Sequence, residues 1–190
     1  LFRSGHGTTI AGLIVDTGRF DPRRCPERWE RLTIRNRRFG VTFADEYARG
    51  GSGLLAYARA KYVTDLGATL PATSAQQILV GIETLDLRLR KISTDATALA
   101  GRLAAAGEVA EVHHPSLPGR PDRHLVARDF PRGTSGVFSI DLHGGEGAAA
   151  AFCDALELWS LAVNLGDARS LVCHPASTTH SHLTPTQREA

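Results

Sequence analysis

The stretch GDARSLVCHPASTTHSHLTPTQREA, residues 166–190, decides how the rest of this 190-residue chain is read. It closes a strand-like segment, LAVNLGDARSLVCH (161–174), and places a glycine turn at Gly166-Asp167 just ahead of a short apolar run. The second half is rich in hydroxyls and imidazoles. Ser177, Thr178, Thr179 and His180 can cap a buried turn, because short polar side chains hydrogen-bond nearby backbone groups. A metal reading competes with that one. Cys173, His174, His180 and His182 fall within ten residues, and zinc accepts thiolate sulfur and imidazole nitrogen. His180 and His182 would share one face of an extended segment, and Cys153 could add a ligand from the preceding helix. The spacing matches no standard zinc pattern and Pro175 interrupts it, so capping is favoured and no residue is assigned to a metal.

Composition narrows the class. A chain of 190 residues can be one domain, or one domain with a piece of another, and can bury a real core. The net charge of +2 gives no strong steering toward nucleic acid or anionic membrane. Apolar runs such as Thr9 to Val15 and Gly136 to Ile140 fall far short of a membrane span, and no signal-peptide order is visible at the N-terminus. Three cysteines, Cys25, Cys153 and Cys173, are too few and too scattered for a disulfide framework and fit a reducing compartment. A cytoplasmic protein is expected. The chain has no methionine, which suggests a start inside a longer reading frame.

Residues 8–16, TTIAGLIVD, read as a buried strand, and Asp21-Pro22 and Cys25-Pro26 mark a loop. RWERLTIRNRR (28–38) interleaves cations with Trp29, Leu32 and Ile34. A nucleic-acid face has that look, but an isolated run in a chain of nearly balanced charge is better read as a solvated face with apolar anchors. After the glycine hinge at 50–53, LLAYARAKYVTDLGATL predicts a helix ended by Pro71. Thr73 or Ser74 can cap a longer helix to Ala106, whose Ile82, Leu85, Leu89, Ile92, Ala96, Leu99 and Leu103 form one apolar stripe. Glu108–His114 and Gly136–His143 predict strands, the second alternating Val137, Ser139, Asp141 against Phe138, Ile140, Leu142. A proline-rich loop, HHPSLPGRPDRH, lies between them, and GEGAAAAFCDALELWS (145–160) predicts a helix. This order fits an α/β or α+β domain with a small mixed or antiparallel sheet. No internal repeat is present.

His6, between Gly5 and Gly7, is a candidate general base, because imidazole titrates near neutrality, or a histidine packed in a tight turn. Its surroundings carry the wider resemblance. Phe2, Ser4, Gly5, His6 and Gly7 fall on the pattern S-x-T-K-[FY]-x-[GS]-G-H-G of the cysteine/methionine-metabolism group of pyridoxal-phosphate enzymes, and Leu1 occupies the place of the lysine. GDARSLVCHPASTTHSHL resembles the run that marks the O-acetylhomoserine sulfhydrylases in that group, with Gly166, Asp167, Ser170, Leu171, His174 to Ser181 and Leu183 in agreement. GIETLDLRL (81–89) and RGTSGVFSIDLHGG (132–145) are similar to further family segments. LPATSAQQ (70–77) departs from a family stretch that often carries aromatic residues.

The resemblance implies an α/β fold, the type I pyridoxal-phosphate transferase fold, with residues 1–70 ending the large cofactor domain and residues 71–190 belonging to the small C-terminal domain. It implies pyridoxal phosphate as cofactor, an amino-acid substrate with sulfide as partner, and a homo-oligomer built as a dimer of dimers, with no nucleic acid or membrane. The reaction implied is replacement of the γ-acetoxy group of O-acetylhomoserine by sulfide or a thiol. Cystathionine γ-synthase and methionine γ-lyase activities are the alternatives, followed by a non-catalytic paralogue or a zinc-binding module. Arg169 beside Ser170 favours the sulfhydrylase version over one with an acidic residue there. By position, Ser170, Leu171 and Thr178 are the substrate-binding candidates, Ser170 toward the substrate carboxylate. No catalytic or cofactor-binding residue is assigned, since Leu1 cannot form a Schiff base and the phosphate and ring contacts would lie upstream. The carboxylate-binding arginine would lie downstream of Ala190. The chain is therefore expected to be inactive alone.

Overall fold

Prolines and glycines keep the helices between residues 11 and 72 short. In a computed structural model, residues 5–134, 136–184 and 186–187 are described, and the chain divides into two compact units, residues 11–72 and residues 1–10 with 73–190. In the first, Asp21 accepts the Arg23 N–H at 3.0 Å and opens a 3₁₀ turn, Pro22–Arg24, followed by a second, Pro26–Arg28. The helices α1 (Glu30–Thr33), α2 (Asp45–Ala48) and α3 (Gly53–Ala58) follow, and α3 runs into a π-helical stretch, Arg59–Thr64. Leu32, Phe43 and Ala44 form the core, with the Ala44 N–H donating to the Leu32 carbonyl at 2.9 Å.

Aromatic edges surround that core: Phe43 meets Phe39 at 6.2 Å and Tyr57 at 5.3 Å between ring centres. Gly53 lies so close that a Cβ there would stand 2.4 Å from the Phe43 carbonyl oxygen. Asp16 ties the unit together, accepting from the hydroxyls of Ser52 and Tyr47 and from the Gly18 N–H; Ser52 at the same time caps α3 through the Leu55 N–H. Those donors hold the Asp16 carboxyl below its usual range, Ser52 contributing most.

Two expectations for this unit change, and a third holds in part. Residues 9–17 form no strand, and Ile10, Leu13, Ile14 and Val15 are exposed; a strand needs a ladder partner, and among the described residues none lies beside this run. The helix expected to reach Pro71 stops at Thr64, because Gly67 takes φ +64° and its N–H and that of Ala68 turn back to Val63 and Tyr62. In the basic run, Leu32 is core and Trp29 packs edge-on to Phe20 at 4.8 Å, so the apolar residues serve as anchors, although Ile34 is exposed.

In the second unit, α4 (Ala72–Glu83) and α5 (Leu85–Leu103) replace the single helix expected from Ser74 to Ala106. The break is Thr84, at φ −108° and ψ 6°, whose hydroxyl accepts from Arg88 Nε at 3.2 Å. α4 also begins ahead of the expected caps, directly after Pro71, whose fixed φ suits a helix start. The buried face of α5 is Ser93, Ala96 and Ala100 rather than the leucines, and it packs on β1 (Val109–His113). Leu89 is 41% exposed. Leu89→Ala is accordingly expected to cost less than about 1 kcal/mol, well below the 2–5 kcal/mol of an emptied core leucine, and a urea midpoint checks it.

After β1 come α6 (Arg123–Asp129), β2 (Ser139–Leu142) and α7 (Gly145–Asp154). β2 pairs antiparallel with β1, Glu111 opposite Asp141 and Val112 opposite Ile140. Its alternation is as expected, Ile140 and Leu142 half-buried and Ser139 and Asp141 exposed, though the strand is shorter than Gly136–His143. α6 at the end of the proline-rich loop was not expected, and α7 stops at Asp154, short of Ser160. β3 (Ser160–Leu161) and β4 (Leu171–Val172) then pair in parallel. No helix among the described residues is long and apolar enough to cross a membrane.

Candidate functional site

The turn between β3 and β4 is built around a buried carboxylate. Asp167 accepts from the Arg169 N–H at 2.9 Å, from the Arg169 guanidinium at 3.1 and 3.2 Å and from Asn164 Nδ2 at 2.9 Å. An aspartate that receives its own i+2 N–H makes a self-closed turn, and the guanidinium fork adds charge-assisted bonds. Together the Arg169 contacts and Asn164 hold the Asp167 carboxyl far below the ordinary carboxylate range, against the opposing effect of burial.

The glycine–histidine–glycine loop docks on this turn. The Ala168 N–H donates to the Gly5 carbonyl at 2.8 Å. Gly5 and Gly7 sit at φ +76° and +64°, and a Cβ on either would collide, at 2.6 Å from the Arg88 guanidinium and at 2.6 Å from Asn164 Nδ2 respectively. Arg88, on α5, also donates to the Gly81 carbonyl of α4 at 2.7 Å. The loop is thus held between the α4–α5 elbow and the Asn164–Arg169 turn. His6 projects from it exposed.

Ser170 follows the turn directly and is exposed; its carbonyl accepts from the Ser160 N–H at 3.0 Å. Leu171, half-buried, opens β4. Thr178 lies in the next turn, where its hydroxyl donates to the His174 carbonyl at 2.8 Å, and His174 Nδ1 meets the Ser177 hydroxyl at 2.9 Å. That is the capping pattern expected of the hydroxyl-rich segment. Leu1, Phe2 and Ser4 lie outside the described residues. Cys173, His174, His180 and His182 are not gathered around a point where one ion could reach three of them. Burial, with the nearby Asp154 and Cys173, pushes the Cys153 thiol up, which disfavours the thiolate a metal takes.

Sequence reasoning missed Arg88, Asn164 and Asp167 as a supporting shell. The available signal was the pair of glycines, since two crowded, left-handed positions require something close against them.

A family model described as Cys/Met metabolism PLP-dependent enzyme matches residues 2–190. The chain belongs to this family. A sulfhydrylase-like protein of Epichloe uncinata is 37% identical over 97% of this chain and 38% of its own length. An O-acetyl-L-homoserine sulfhydrylase of Leptospira meyeri is 34% identical over 96% of the chain and 43% of its own length. A solved O-acetylhomoserine (thiol)-lyase of Campylobacter jejuni, carrying N′-pyridoxyl-lysine-5′-monophosphate, superposes with a TM-score of 0.79 at 27% identity, over 99% of this chain and 44% of that one. The chain is also similar to proteins named homocysteine synthase, cystathionine gamma synthase and L-methionine gamma-lyase. The chain spans about two fifths of the length of the curated relatives it matches.

The fold of this Cys/Met metabolism chain is that of the type I pyridoxal-phosphate enzymes, and pyridoxal phosphate is the family's cofactor. Its two lysines do not fit the role of Schiff-base partner. Lys61 Nζ pairs with Asp65 at 3.3 Å beneath the Phe39 ring, and Lys91 Nζ pairs with Asp95 at 2.8 Å, each across one helical turn.

The acid limb of stability should report the Asp167 turn. A carboxyl whose folded value is depressed stabilises the fold above its unfolded value, near 3.8, and loses that contribution as pH falls toward the folded one. Asp167→Asn is expected to flatten the loss of stability below about pH 4, seen as a smaller drop in Tm between neutral and acid buffer than in the wild type.

Proposed function

We propose that this chain is the C-terminal part of an enzyme that replaces the γ-acetoxy group of O-acetylhomoserine with sulfide or a small thiol, in cysteine and methionine metabolism. On this reading residues 1–70 finish the large cofactor domain and residues 71–190 begin the small one. The observation that carries it is the docking of the Gly5–Gly7 loop on the Asn164–Arg169 turn through Gly5 and Ala168. That contact ties the segment following the family's lysine position to Ser170 and Leu171, the residues read as substrate-binding. An exposed Ser170 hydroxyl beside a rigid turn can donate to a substrate carboxylate without reorganising. Leu171 and Thr178 shape the surroundings, and Thr178 does so from a side chain already fixed by the His174 carbonyl.

In the whole enzyme, pyridoxal phosphate held by the family's lysine would supply the electron sink that such γ-chemistry requires. Arg169, held against Asp167, favours sulfhydrylase activity, since no acidic side chain then stands next to Ser170. A γ-lyase is the second reading, favoured by an L-methionine gamma-lyase of Pseudomonas putida that is 39% identical over 73% of this chain. The working enzyme is proposed to be cytoplasmic and homo-oligomeric, with the chain inactive alone.

A chimaera in which residues 2–190 replace the matching stretch of the Campylobacter jejuni chain tests the proposal. Products are measured from O-acetylhomoserine with and without sulfide. Ser170→Ala in it is expected to raise KM for the amino acid with little change in kcat, the signature of lost uniform binding; a fall in kcat at unchanged KM would remove Ser170 from that role.

A further inference from the structure

The β1–β2 ladder carries a cluster that the proposed function does not use. Glu111 and His113, two apart on β1, point to the same face, and Asp141 on β2 stands directly opposite Glu111. His113 Nε2 lies 2.7 Å from Asp141 Oδ2, and its Nδ1 lies 3.5 Å from Glu111 Oε1. One ligand atom from each of the three falls within 4.8 Å of the others. From these residues we propose a surface site for a divalent transition-metal ion, zinc in the first instance, on the exposed face of the ladder.

The donor set suits such an ion. Imidazole nitrogen and carboxylate oxygen both bind Zn²⁺ at about 2.0–2.2 Å, so neighbouring donors around a tetrahedral ion stand about 3.3 Å apart. Exposed Glu111 and Asp141 side chains, on strands whose register is fixed by pairing, reach that spacing by rotation alone. Water completes the coordination. Arg120 is the opposing element, since its guanidinium already pairs with Glu111 at 3.0 Å and must release one oxygen or tolerate a nearby cation.

Zinc titration of the whole chain by calorimetry tests the site, with cobalt spectra identifying the donors. Saturable one-to-one binding is expected, with a cobalt spectrum lacking thiolate charge-transfer bands. His113→Ala should weaken binding by more than about tenfold and Asp141→Asn by about tenfold, as losing even an outer-shell partner costs 10–100-fold. Arg120→Ala should tighten it, and joint Cys153→Ser and Cys173→Ser changes should leave it unaltered. No saturable binding, binding that survives both His113→Ala and Asp141→Asn, or a thiolate band that disappears with the cysteines would each overturn the proposal.

Discussion

Treated with equimolar pyridoxal phosphate and then borohydride, the chain is expected to carry no stoichiometric pyridoxyl label on Lys61 or Lys91. Each amine is engaged by a carboxylate one helical turn away, Lys61 by Asp65 at 3.3 Å and Lys91 by Asp95 at 2.8 Å, and that contact must break before the nitrogen can attack an aldehyde. Peptide mapping after reduction decides it. A full equivalent of label on either lysine would show that the chain carries its own cofactor anchor and would reverse its proposed inactivity alone.

Phe43→Ala is expected to cost about 3–5 kcal/mol, the range for emptying a buried aromatic site. Phe43 is 3% exposed, meets the Phe39 and Tyr57 rings edge-on, and its carbonyl packs so close to Gly53 that a Cβ there would not fit. A cavity there has no ready means of collapse. Set against the 5–15 kcal/mol that holds a typical domain folded, the loss removes a large share of stability. The urea transition of the substituted chain measures it, and a shift equivalent to under 1 kcal/mol would mean that Phe43 is not part of the core.

Local signals were legible and non-local ones were not. The alternation of Phe138, Ile140 and Leu142 identified β2, because a two-residue period needs only neighbours to be seen. Residues 8–16 had the composition of a buried strand, yet a strand is made by its partner, which lies nowhere in the run itself. The stripe from Ile82 to Leu103 gave helix correctly but missed the break, since Thr84 leaves the helix through its own hydroxyl bond to Arg88. At the site, the motif around residues 166–183 identified the family, as the match over residues 2–190 shows. Asp167 was visible there only as a motif letter. Its role emerges when Asn164, Arg169 and the Gly5–Gly7 loop meet across more than 150 residues of chain.

On the proposed function, the Asn164–Thr178 region directs γ-replacement. The chimaera carrying residues 2–190 within the Campylobacter jejuni chain is the most direct test, with homocysteine and 2-oxobutanoate quantified from O-acetylhomoserine in the presence and absence of sulfide. Homocysteine dominating with sulfide, and little 2-oxobutanoate without it, is the predicted result. Dominant 2-oxobutanoate in either condition, or no turnover by a folded chimaera that binds pyridoxal phosphate, would contradict it.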